Sequence, residues 1–187
     1  MSTDYKLTSN DSLSKLAKEY GIETWHDLIK YVKNIPYGRT SDKANFSLVI
    51  SENIGTCSSK HAFLKQVADF NHIPNVKLML SVFKMNPLNT PQTREAFTGS
   101  LIEYIPEAHC YLKVFDECID VTSKHLDFVK IKNDIIEEQE IKPEQVMTFK
   151  EAYHKKFIKN WIVKDNLPLN FDQIWELRET CILNLSK

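Results

Sequence analysis

The apolar spacing of the chain changes period at Pro74. Before it, in "GTCSSKHAFLKQVADFNHIP", Leu64, Val67 and Phe70 recur at helical intervals. After it, in "NVKLMLSVFKM", Val76, Leu78, Leu80 and Val82 alternate. A helical repeat and a strand repeat are not interchangeable, because swapping them turns the apolar side chains out of the core. The pair of segments therefore predicts a helix from about Cys57 to Asn71 followed by a strand.

The rest of the chain extends this pattern. "NDSLSKLAKEYG" puts Leu13, Leu16, Ala17 and Tyr20 on one helical face and stops at Gly21. "TWHDLIKYVKNIPYG" starts a second helix at Thr24, with Asp27 at the capping-box position and Trp25, Leu28, Ile29 and Val32 as its stripe. Residues 37–55 read as a loop. The proline-containing stretch from about 86 to 107 reads as a long connection of the kind that borders substrate clefts. "AHCYLKVFDECIDVT" predicts a hairpin with Asp116 and Glu117 near its tip. Two helices close the chain, one carrying Phe149, Tyr153, Phe157 and Trp161 at every fourth position, the other Ile174, Leu177, Cys181 and Leu185. The expected architecture is a single α+β domain over 1–187. A central helix carrying Cys57 packs on an antiparallel sheet, the core spans about 50–125, and extra helices lie at 9–36 and 144–187.

Composition narrows the function. With 24 Lys and Arg against 25 Asp and Glu, the chain has no basic excess for a nucleic-acid partner and no polybasic membrane signal. The polar start and the lack of an apolar run of spanning length set the expectation of a cytoplasmic protein with no membrane association. Cys57, Cys110, Cys118 and Cys181 form no C-x-x-C pair and no zinc-finger spacing with histidines, so all four are expected as thiols. There is no G-x-G-x-x-G, Walker loop or calcium-loop signature, and neither cofactor nor metal is expected.

The chemistry concentrates at Cys57. A cysteine in the first turn of a helix meets free N–H groups and a partial positive charge, both of which favour the thiolate. The same N–H groups can stabilise an oxyanion. Gly55 is expected to let the backbone turn sharply and a substrate approach. His109, at the start of a strand, is the candidate base. His61, one turn after Cys57, is read as a packing or hydrogen-bonding residue, and His26, His72, His125 and His154 as surface residues.

Asp116 and Asp120 compete to orient His109. Asp116 falls on the opposite strand face from His109 and at a turn position. Asp120 has the right parity, but a tip at 116 and 117 pairs it with Lys113, four residues from His109. A tip at 114 and 115 sets it directly opposite His109, and this shifted or bulged hairpin is the expected one.

"GTCSSKHAFLKQVADFNHIP", a strand, "HCYLKVF" and "DVT" together resemble the transglutaminase-like superfamily, which shares a papain-like core. The resemblance covers about residues 50–125 and implies Cys57 as nucleophile, His109 as base and Asp120 as orienter. It implies a peptide or protein amide substrate, with hydrolysis, deamidation or acyl transfer through an acyl-thioester. Because the superfamily also contains inactive scaffolding domains, the alternative is a catalytically degenerate module that binds a peptide or protein.

Overall fold

A computed structural model describes residues 4–124 and 126–186. It is α+β, with a four-stranded antiparallel sheet and several helices. In chain order the elements are α1 (Ser12–Glu19), α2 (Trp25–Asn34), α3 (Leu48–Ser51), α4 (Cys57–Phe70), β1 (Val76–Met85), β2 (Ile105–Val114), β3 (Glu117–Ile119), α5 (Phe128–Lys132), β4 (Ile135–Ile141), α6 (Thr148–Lys164) and α7 (Phe171–Asn184). Short 3₁₀ turns lie at Pro91–Thr93 and Pro143–Val146. The sheet order is β3-β2-β1-β4.

The chain sorts into two compact units, and β1, β2 and β4 contribute residues to both. The first unit takes residues up to 79, 110–125 and 140–147. Its hub is α4, which packs against α1, α2, α3 and the turn at 143–146. Local chemistry fixes the helices around it. Asp11 caps α1 by accepting from the N–H groups of Leu13 and Ser14, at 2.9 and 3.0 Å. Thr24 caps α2 through Asp27 N, and Thr56 and Ser59 form a reciprocal capping box at the start of α4. Ala62, Phe63, Leu64, Val67 and Ala68 are all buried. Phe70 is not part of this face: the helix emerges in its last turn and leaves the ring 46% exposed. The inward position is taken by Asn71, whose side chain ties Ser9 N, Ser14 Oγ and Val67 O.

The second unit takes residues 80–109, 126–139 and 148–187. Phe83, Met85, Ile102, Ile105, Ile131, Ile158, Trp161, Ile174 and Cys181 form its core. The connection between β1 and β2 is anchored from within. Asn89 Nδ2 donates to Lys84 O and Asp134 Oδ2, both at 2.7 Å, and Thr90 and Thr93 are buried. The charged stretch after the hairpin contains α5 and β4, which apolar periodicity does not reveal. β4 is a sheet edge, and its sequence "IIEEQEI" is mostly exposed, the composition that keeps an edge from pairing with another chain.

The buried face of α6 also differs from the expectation. Lys150, His154, Ile158 and Trp161 point inward, while Phe149 is exposed and Tyr153 and Phe157 are only partly covered. The buried line sits one residue on from the aromatic one through its first three turns. No helix among the described residues is long and apolar enough to cross a membrane.

Candidate functional site

Cys57 is the first residue of α4 and is buried, with Thr56 as the preceding cap. Its Sγ lies 4.0 Å from Ser58 Oγ, which lies 4.0 Å from Cys110 Sγ on β2. All four cysteines are free thiols.

Gly55 does not serve as a sharp left-handed turn; the positive-φ glycines are Gly21 and Gly99. Gly55 lies in an extended bridge with Tyr37, where its N–H donates to Pro36 O and its carbonyl accepts from Gly38 N. A Cβ there would stand 2.7 Å from Lys60 Cγ and 3.2 Å from Ser59 Oγ. The glycine makes room for the stem of a buried lysine.

That lysine is the principal feature that apolar periodicity misses. Lys60 is wholly buried, and its Nζ donates to Ile35 O at 2.5 Å, Thr122 O at 2.9 Å and Val121 O at 3.3 Å. Burial pulls its pKa down to about 8, while the charges of Asp120 and Cys57 oppose the fall. The clue in the sequence is a lysine at i+3 from Cys57 and i−4 from Leu64, inside an apolar stripe.

His61, the next residue, is held by the backbone on both sides. Val121 N–H donates to His61 Nε2 at 2.9 Å, so Nε2 carries no proton. The proton therefore sits on Nδ1, which donates to Cys57 O at 2.7 Å. With both nitrogens engaged this way, His61 is a hydrogen-bonding residue rather than a base. The 3.6 Å approach of Asp120 Oδ1 to Nε2 is not an ion pair in this tautomer.

Asp120 follows the last residue of β3 and is buried. Its Oδ1 accepts from Thr122 N–H at 2.8 Å. Thr122 Oγ1 is buried and has no hydrogen-bond partner among the described residues, so the groups of Thr122 that are held belong to its backbone.

The hairpin register corrects both alternatives weighed from sequence. Leu112 pairs with Ile119, Lys113 with Cys118 and Val114 with Glu117, so the tip is Phe115–Asp116. Phe115 adopts a left-handed φ of 53° there, its N–H donates to Asn75 O, and Asp116 is exposed in the turn. The pairing ends at Leu112 and Ile119, and this register puts Asp120 opposite neither His109 nor Lys113.

His109 lies in the second unit, buried on β2. Its ring meets Phe83 edge-on at 5.8 Å and Phe128 at 6.5 Å, and Ser81 Oγ donates to its carbonyl at 3.4 Å. Cys57 and Asp120 both belong to the first unit, where both act electrostatically on Lys60.

His26 and His72 are exposed, and His125 lies outside the described residues. His154 is buried, contrary to the surface reading. It belongs to a polar cluster in the second unit. Arg178 holds Glu107 through two hydrogen bonds at 2.6 and 2.8 Å, and His154 Nε2–H donates to Pro106 O at 2.7 Å. Burial acts to raise the Glu107 pKa, but Arg178 and His154 outweigh it and bring it to about 2. Burial lowers the His154 pKa and pushes the Cys181 thiol up to about 12. Cys181 is thus a core thiol.

No family model, curated protein or solved structure matches this chain.

Proposed function

We propose that the protein is a cysteine-dependent enzyme that transforms acyl or amide groups, built on a transglutaminase-like, papain-like core. The Cys57 thiolate attacks the carbonyl carbon of an amide, and a C–S bond forms as the carbonyl electrons move to oxygen. When the oxyanion collapses, the C–N bond breaks and His109 gives a proton to the departing amine. Water or a second amine then attacks the acyl-thioester, its proton passes back through His109, and the thiolate leaves. Asp120 orients the imidazole. The substrate is a peptide or protein amide, and four free thiols suit a reducing, cytoplasmic setting.

The observation that carries this reading is Cys57 at the first position of a capped helix, buried, with a buried lysine one turn on. Helix dipole and ammonium both favour the thiolate. What supports Asp120 is its face parity with His109 across a two-residue tip.

Iodoacetamide labelling at pH 6.5, mapped by mass spectrometry, tests it. Cys57 is expected to react at least tenfold faster than Cys110, Cys118 and Cys181, and to accumulate a thioester adduct with activated acyl donors that Cys57→Ala abolishes. His109→Ala slows the labelling, with circular dichroism confirming the fold. Labelling of Cys57 at the rate of the other cysteines, with no adduct, overturns the enzyme reading in favour of the peptide-binding module.

A further inference from the structure

The dipeptide after Asp120 has four backbone polar groups, and side chains satisfy every one. Val121 N–H goes to His61 Nε2, Thr122 N–H to Asp120 Oδ1, and the carbonyls of Val121 and Thr122 to Lys60 Nζ. Buried backbone groups need partners, and β3 ends at Ile119, so the sheet ladder does not supply them. Two consecutive residues of the helix that begins with Cys57 supply three of the four instead. Lys60 also reaches back to the carbonyl of Ile35, the residue that caps the C-terminus of α2.

We propose that Lys60 is a positioning residue for the Cys57 chemistry. Its ammonium clamps the Val121–Thr122 backbone so that Asp120 is held in place, and it provides the fixed positive charge that favours the Cys57 thiolate. His61 is its partner in the clamp. The inference rests on the cysteine reading above.

Geometry argues for more than packing. A buried ammonium needs a strong reason to stay charged, and three carbonyl acceptors plus nearby anions provide it. An apolar residue of the same length would fill the space, but leave the two carbonyls of residues 121 and 122 unsatisfied. The groups facing Lys60 that carry or change charge are Asp120 and Cys57. With Lys60 charged at neutral pH, the Cys57 thiolate gains a cation from its own helix; with Lys60 neutral, it loses one.

The test is the pH profile of Cys57 alkylation in the full chain. Wild type is expected to show a midpoint below the ordinary thiol value of about 8.5. Lys60→Met should raise that midpoint by about one unit, a roughly tenfold slower reaction below it, and Lys60→Arg should restore much of the shift. A wild-type midpoint in the ordinary range overturns the nucleophile reading, and this inference with it. A low wild-type midpoint that Lys60→Met leaves unchanged overturns this inference alone.

Should Lys60→Met fail to fold, NMR of the Lys60 ε-methylene decides. Coupling is reciprocal, so Cys57→Ser should lower the Lys60 midpoint relative to wild type, and an unchanged midpoint overturns the proposal.

Discussion

At the scale of single residues, Gly55 shows how a correct observation in the sequence leads to an incomplete reason. A glycine two residues before a helix-starting cysteine is conspicuous in a chain with four glycines. Its backbone is extended, and what it avoids is a clash with Lys60. Nothing in linear spacing shows which side chain five residues on will fold back over a glycine. Gly55→Ala therefore sets two effects against each other. The alanine narrows the unfolded ensemble and stabilises by about 0.4–1 kcal/mol. The new Cβ overlaps a stem pinned by three carbonyls, and overpacking costs about 1–3 kcal/mol. The clash should win, giving a net loss of about 1–2 kcal/mol in denaturant unfolding. A Lys60→Ala background should remove most of that loss, because the stem is gone. A Gly55→Ala variant as stable as wild type would show that Lys60 moves aside freely.

Among elements, legibility tracks apolar content. α1, α2, α4 and β1 stand where periodicity and capping residues put them, because each buries an apolar stripe, although Tyr20, read onto the α1 stripe, is 47% exposed. β4 is illegible for the opposite reason: as an edge strand it exposes most of its side chains, and its charges look like a solvated loop. The hairpin tip lies one residue from each of the two positions weighed, since Phe115 takes the left-handed turn position where Asp, Asn or Gly is the usual signal. α6 is legible as a helix but not in its facing, because aromatic periodicity competes with an inward line containing Lys150 and His154. The protection of the β4 edge by charge is testable. Glu138 and Glu140 lie exposed on this edge, and Glu140 pairs with Lys77 at 3.2 Å. Replacing both with valine should leave the circular dichroism spectrum unchanged but raise self-association, seen as concentration-dependent growth in light scattering. A strictly monodisperse double variant at the same concentrations as wild type would mean that other features protect the edge.

For the molecule as a whole, resistance to acid should hinge on Glu107. Its carboxylate is buried, bound twice by Arg178, and has its pKa lowered to about 2 against an ordinary value of 4.5. A carboxyl depressed in the folded state binds fewer protons there than in the unfolded chain between those two values. Its contribution is therefore complete above about pH 4.5 and is lost as pH falls through about 2. Trp161 and Trp175 both lie in the same unit as Glu107, so their fluorescence reports on it once Trp25 is replaced by phenylalanine. In that background, stability should fall steadily from pH 4.5 to 2. Arg178→Met should cost about 3–5 kcal/mol at pH 7, because it leaves a buried carboxylate without its cation. The same substitution should cost much less at pH 2, where Glu107 is increasingly protonated. Removing both partners, Glu107→Leu with Arg178→Met, should recover much of the loss and flatten the acid dependence, since no buried charge is left unpaired. An Arg178→Met penalty equal at pH 7 and pH 2 would show that the arginine stabilises by packing over the Trp175 ring, 5.3 Å from its guanidinium, rather than by holding the carboxylate charged.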